Sequence, residues 1–248
     1  MTERTTTLPP ALHRALDLLS DPPPVPDFSK GYLDLLGSEP VESSAVPKNT
    51  GAIQALWASP LGSLLYDNAQ ALSRRLFTAW QHPQEWLNIP PGGVALDVGS
   101  GPGSVTAALA EAAAPNGLAI GVDISEPMLA RAVRNHAGPR TGFVRADAQR
   151  LPLRSETVDA VVSIAVLQLI PDPAATLAEI ARVLRPGGRL ALMVPTAGPA
   201  GPLWKLLPNT GARFFSDDEI ADILEDHGFA SVRTKNFGAI QWVRAKRG

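Results

Sequence analysis

The sequence predicts an α/β fold: a doubly wound, mostly parallel sheet of seven strands with an antiparallel last strand, behind an N-terminal helical cap. Three observations predict it. Apolar runs of strand character alternate with helical patterns from Gly92 to the C-terminus. The first run, Val94 to Val98, opens into a turn with glycines at 99, 101 and 103, and an alanine-rich helix follows. The first three runs each end in an aspartate, at Asp97, Asp123 and Asp147.

Residues 1–90 read as a separate helical extension on the acceptor side, and residues 91–248 as the sheet domain. Pro9 to Ser20 has helical spacing through Leu12, Leu16 and Leu19, until Asp21 to Pro26 breaks regular structure with four prolines. Ser59 and Pro60 start a clearer helix through Leu61, Leu64, Leu65, Leu72, Leu76 and Trp80, which carries Tyr66 and Asp67.

In the sheet domain the strands are Val94 to Val98, Leu118 to Val122, Thr141 to Ala146, Val158 to Ile164, Leu190 to Val194, Phe229 to Phe237 and Ile240 to Ala245. Between them, Ser125-Glu-Pro127 starts a helix, and Asp172 caps another whose first residue is Pro173. Pro186-Gly-Gly188 stops that helix before the fifth strand. Ser216 to Glu219 fits a capping box, and His227 sits at the C-terminus of the helix it starts.

Composition narrows the chemistry. The chain has no cysteine, so disulfides, thiolate catalysis and cysteine-held metals are excluded. His13, His82, His136 and His227 have no ligand spacing, and no metal is expected. A formal net charge of −2 speaks against a general nucleic-acid-binding surface. The N-terminus lacks the apolar core of a signal peptide and no run is long enough to span a bilayer, so a cytoplasmic location is expected.

A glycine turn between strand and helix sets free backbone N–H groups at the rim of a parallel sheet. Two ligands compete for it. A dinucleotide fingerprint, G-x-G-x-x-G, fits Gly99 and Gly101 but needs a third glycine where Ser104 stands. A carboxylate at Asp97 would repel a pyrophosphate and welcome a cationic ligand. S-adenosylmethionine, with an ammonium and a sulfonium, suits those charges better. Asp123, 20 residues after Gly103, suits the ribose of either ligand. Asp147 lies one strand further out, within reach of an adenine amino group.

With these motifs in order, the chain resembles the class I S-adenosylmethionine-dependent methyltransferases of the small-molecule, ubiquinone/menaquinone type. The resemblance rests on Ala95 to Gly103, Gly121 to Leu129, Ala146 to Pro152, Asp159 to Asp172 and Leu184 to Leu190. It is close over residues 92–195, holds by topology for the last two strands, and does not cover the first 90 residues. It implies a Rossmann-like fold, with S-adenosyl-L-methionine as cofactor and S-adenosyl-L-homocysteine as product. Asp97 and the turn Gly99, Ser100, Gly101 and Gly103 would hold the methionine part. Asp123 would take the ribose, with Ile124 and Met128 against the adenine, although both apolar residues serve equally as core. Asp147 and the N–H of Ala148 would read the adenine edge, and Ser163, Ile164 and Ala165 would line the cofactor.

Gln168 stands where relatives often carry histidine. An amide can orient a hydroxyl or carbonyl but cannot act as a base. Gln168 and Tyr66 are the candidate catalytic residues. The expected activity is methyl transfer by direct displacement to oxygen or carbon of a small, largely apolar acceptor. The alternatives are a catalytically silent S-adenosylmethionine-binding protein and a protein or RNA methyltransferase. An NAD-dependent oxidoreductase is disfavoured by Asp97 and Ser104.

Overall fold

The computed structural model describes residues 9–37, 83–196 and 213–248. In chain order these form α1 (Pro10–Leu16), β1 (Leu33–Asp34), α2 (Pro83–Leu87), β2 (Val94–Val98), α3 (Ser104–Ala112), β3 (Leu118–Asp123), α4 (Glu126–His136), β4 (Thr141–Arg145), β5 (Val158–Ile164), α5 (Pro173–Val183), β6 (Leu184–Pro195), α6 (Glu219–Asp226), β7 (Phe229–Phe237) and β8 (Ile240–Arg247). The sheet order is β1-β4-β3-β2-β5-β6-β8-β7. Strands β1 to β6 pair in parallel, and β8 runs antiparallel to both β6 and β7. The winding reverses between β2 and β5, and a sheet of this kind opens its ligand crevice at the carboxyl ends of those strands.

The described sheet has eight strands, one more than the sequence pattern predicts. The extra strand is Leu33–Asp34, with Leu33 opposite Val144. Two residues have no periodicity to read; pairing against the edge of β4 makes them a strand. Residues 9–37 share the core of the sheet. Leu12, Ala15 and Leu19 are buried in the same cluster as Leu96, Ile120 and Val144. Arg14 ties α1 to the turn before β3 by donating to the carbonyls of Gly117 and Asn116 at 3.1 and 3.0 Å. The rest of the predicted cap, including the Ser59–Trp80 helix, lies outside the described residues.

The two faces of the sheet pack differently, as the alternation of side chains across a strand requires. One face presents Leu96, Ile120, Val161 and Leu192 to α5, α6 and α1. The other presents Ala95, Ala119, Ala160 and Ala191 to Leu109 and Ala110 of α3 and Leu87 of α2. Alanines let α3 sit close, and that places the glycine turn tightly on the sheet. Truncating a fully buried leucine such as Leu109 costs about 2–5 kcal/mol.

Asp172 caps α5 as expected, accepting from the N–H of Ala175 at 3.0 Å. Pro186-Gly-Gly188 does not end that helix: α5 stops at Val183, and these residues form an irregularity inside β6. Only half of the predicted capping box forms. Glu219 accepts from the N–H of Ser216 at 3.2 Å, but Asp218 occupies the N-cap position.

Candidate active site

The turn after β2 needs its glycines. Gly99, Gly101 and Gly103 have φ of 75, 51 and 86°, a region closed to most side chains. Close packing adds a second reason at Gly99, where a Cβ would lie 2.2 Å from a methyl of Val166. The N–H groups of this turn are not free, contrary to the sequence-based expectation. Gly99 and Ser100 donate to the carbonyl of Val122 at 2.8 and 3.0 Å, and Gly103 donates to that of Ser100 at 3.0 Å. Gly101 donates to Asp123 Oδ2 at 2.8 Å. Pro102 has no N–H. The turn therefore offers a pyrophosphate no cradle of donors.

Asp97, at the tip of β2, is only 2% exposed. Its Oδ2 accepts from the Thr106 hydroxyl at 2.6 Å. Burial pushes its carboxyl up to about 7; the Thr106 hydrogen bond opposes that rise and the charge of Asp123 adds to it. No described residue gives Asp97 a cation. A buried carboxylate in that position is costly unless a positive group pairs with it. A cationic ligand fits the site and an anionic one does not.

Asp123 accepts from the N–H of Gly101 and, at 2.8 Å, from that of Ser125. Burial raises its pKa, against those hydrogen bonds. A carboxylate accepts at about four sites, so these backbone N–H groups leave room for a ribose hydroxyl. Beside it Ile124 is 41% exposed, an apolar side chain left uncovered at the rim, whereas Met128 is 8% exposed. Asp147 follows β4 and accepts from the backbone N–H of Gln149 at 2.9 Å, with the Gln149 amide at 3.3 Å. The Gln149 carbonyl accepts in turn from the N–H of Asp172 at 3.1 Å. Ala148 is half-buried against the core within this turn.

Beyond β5 the chain turns at Ala165, a non-glycine residue at φ 57°, where strain is commonly held for function. Among the described residues, three buried polar atoms at this rim have no hydrogen-bond partner: Ser100 Oγ, Ser163 Oγ and Gln168 Oε1. All three residues are among the sequence-based candidates. Two more, Gln241 Oε1 and the indole N–H of Trp242, belong to β8 opposite Val194 and Met193 near the carboxyl end of β6. Unmade hydrogen bonds of this kind cost about 1–3 kcal/mol each, a deficit that a polar ligand can remove. Tyr66 lies outside the described residues.

Four residues of this rim escaped the sequence reading. Thr106 left only a faint signal in the sequence, a hydroxyl in the first turn of an alanine-rich helix; its full burial is a property of the fold. Gln149 links Asp147 to Asp172, 23 residues further on, and Trp242 reaches the rim only through its register with Met193. Arg145, at the end of β4, reaches Asp34 at 3.2 Å, Glu126 at 3.2 Å and the carbonyls of Gly37 and Ile124 at 2.8 and 3.3 Å. Lys30 joins Glu126 at 2.7 Å and holds that carboxyl below its usual range. This network straps residues 30–37 to the turn that carries Asp123 and Ile124.

The fold and a cation-seeking strand tip define a class, and comparison with known proteins agrees. The sequence profile of the methyltransferase domain matches residues 96–192. A demethylmenaquinone methyltransferase from Roseiflexus castenholzii is 31% identical over 185 residues, 64% of this chain and 77% of that protein. A 37.1 kDa protein of transposon TN4556 from Streptomyces fradiae is 43% identical over 110 residues, and the chain spans only 32% of its length. Among solved structures, a putative methyltransferase of Haloferax volcanii, in complex with the Trm112 methyltransferase activator, superposes with a TM-score of 0.64. That match has 19% identity and covers 79% of this chain and 98% of that one. The chain belongs to the class I S-adenosylmethionine-dependent methyltransferases.

Proposed function

We propose that this chain transfers a methyl group to an oxygen or carbon atom of a small, largely apolar acceptor. The observation that carries the reading is Asp97, a buried carboxylate at the switch point with no described cation beside it. When bound, S-adenosylmethionine supplies a methyl group on a positively charged sulfur, whose thioether is a good leaving group. The protein's task is then alignment and exclusion of water, and orientation alone can be worth about 7–11 kcal/mol.

Asp97 would take the ammonium, with Gly99, Gly101 and Gly103 shaping the turn around it. Ser100, Ser163 and Ala165 would border the methionine part. Asp123 would hold the ribose, Ile124 and Met128 would form an apolar wall for the adenine, and Asp147 with Ala148 would read its edge. Gln168, whose side-chain carbonyl oxygen has no partner among the described residues, would orient a hydroxyl of the acceptor. Tyr66 would be a second anchor. Neither group takes the acceptor's proton at neutral pH, so an acceptor with an acidic hydroxyl or enol suits the site best. The relative that acts on demethylmenaquinone, by its name, supports an apolar acceptor. So does the apolar run Leu203, Trp204, Leu206 and Leu207 in the segment after β6.

Calorimetry on the purified chain tests the cofactor. S-adenosylhomocysteine should bind, and NAD should bind far more weakly; tighter binding of NAD would refute the reading. An acceptor panel, assayed with the intact chain and with Gln168→Ala, tests the rest. Activity confined to polar or polymeric acceptors would overturn the apolar assignment.

A further inference from the structure

We propose that the amino ends of the central strands form a second site, which binds a phosphate group. A cleft of about 260 Å³ lies there, walled by Asn88, Pro90, Asp159, Arg185, Gly187, Gly188, Arg189 and Lys246, with Leu87 and Pro186. Three cations face one carboxylate, in a chain whose formal charge is −2. The volume is below the roughly 300–1,000 Å³ of sites for drug-sized ligands. Among the described residues no aromatic ring lines it. A nucleoside would find neither room nor a stacking platform, whereas a phosphate or small phosphate monoester fits.

The strand register explains why an anion belongs there. Arg189 of β6 and Lys246 of β8 are directly opposite in an antiparallel pair. Like charges in that relation destabilise a sheet. A shared anion would turn the repulsion into two attractions.

The guanidinium groups are held in place beforehand. Arg185 donates Nε to the carbonyl of Glu156 at 3.1 Å and Nη1 to Asp159 at 2.6 Å. Arg189 donates Nη1 to the carbonyl of Trp86 at 2.7 Å, and its guanidinium lies 4.9 Å from the centre of that ring. Each keeps further N–H groups of its planar fork for phosphate oxygens. Gly187, at φ 80°, leaves the wall bare; a Cβ there would meet only Lys246 Cε, at 3.8 Å. Asn88, in the same lining, is a non-glycine residue at φ 43°. Such strain gathers at ligand sites. The site is separate from the candidate active site, which lies at the other end of the same strands.

The test uses the full chain at constant ionic strength. Inorganic phosphate should raise the melting temperature above that in chloride and should give a saturable calorimetric isotherm. Lys246→Glu puts a carboxylate opposite Arg189. It should raise the phosphate-free melting temperature and weaken phosphate binding by about tenfold or more, the loss of one charge-assisted bond. Its affinity for S-adenosylhomocysteine should be unchanged, so this result stands apart from the methyltransferase reading. Glycerol phosphate separates the sources: tighter binding than inorganic phosphate identifies a monoester, and equal binding identifies the free ion. The proposal is overturned if phosphate and chloride act alike, if Lys246→Glu keeps full phosphate affinity, or if only a polyanion such as polyphosphate binds.

Discussion

The two ends of the parallel strands have opposite needs. At the carboxyl ends stand Asp97, Asp123 and Asp147, with the turn's own donors already used internally. Among the described residues no cation pairs with Asp97, and several buried polar atoms of that rim have no hydrogen-bond partner. At the amino ends Arg185, Arg189 and Lys246 line one cleft with a single carboxylate, Asp159, so positive charge is in excess there. β5 and its partners carry both: Asp159 near the start of β5 accepts from the N–H of Val94 at 2.7 Å, three residues before Asp97 on β2. Parallel strands align their ends, so side chains of one charge can gather at each rim without meeting. A net charge of −2 is then the sum of two local fields and says little about either. The low net charge argues against a uniformly basic surface; it does not argue against a local anion site.

The largest effect expected is at Asp97. Replacing it by asparagine keeps an acceptor for Thr106 but removes the charge from a buried site. Losing one partner of a buried ion pair costs about 3–5 kcal/mol, so affinity for S-adenosylhomocysteine should fall by roughly a hundredfold or more. The pH dependence adds a sign. A carboxyl raised to about 7 in the folded chain, from an ordinary value of 3.8, contributes stability that is complete below pH 3.8 and is lost as pH rises through 7. The ligand-free Asp97→Asn chain should therefore melt higher than the parent at pH 8, with the gap closing toward pH 4. Ligand affinity of the parent should weaken below pH 7, and that of Asp97→Asn should not. Flat parent affinity from pH 5 to 8 would make Asp97 a cap for α3 and nothing more.

Asp123 comes next. It joins the turn after β2 to the start of α4, so alanine at this position would strand the N–H groups of Gly101 and Ser125. Asparagine retains one acceptor and is the cleaner probe. Affinity for S-adenosylhomocysteine should fall about tenfold, the worth of a charge-assisted hydrogen bond. Calorimetry that finds Asp97→Asn and Asp123→Asn equally harmless would erase the contrast between the two rims.

Much of this rim was legible in the sequence because its signals are local. A strand, its terminal aspartate and a glycine turn occupy ten consecutive residues, and three left-handed φ values leave few residues but glycine. The fate of the turn's N–H groups was not legible. Their acceptor, the carbonyl of Val122, is on the next strand, and only the register brings it there. For the same reason the cross-strand pair Arg189 and Lys246, 57 residues apart in sequence, carries no local pattern. Strand β1 was invisible because two residues have no period. The buried, unpartnered atoms of Ser100, Ser163 and Gln168 belong to residues the motifs had singled out, but their lack of partners is a property of the fold.

The smallest effect expected is at Arg145, and it sharpens the comparison most. Arg145 is a cation on the acidic rim, yet its side chain is only 16% exposed and is matched by Asp34 and Glu126. It does not face the rim as a free charge. It holds residues 30–37 against the turn of Asp123 and Ile124, so it is a positioning residue. Arg145→Gln should raise the apparent KM for S-adenosylmethionine about fivefold, near 1 kcal/mol, while kcat stays the same. Arg145→Lys restores the charge but not the fork that reaches Asp34, Gly37 and Ile124 together, so it should recover only part of the loss. Full recovery with lysine would make the field of the charge the operative quantity. A fall in kcat with KM unchanged would place Arg145 in the chemistry and not in the wall that holds the cofactor.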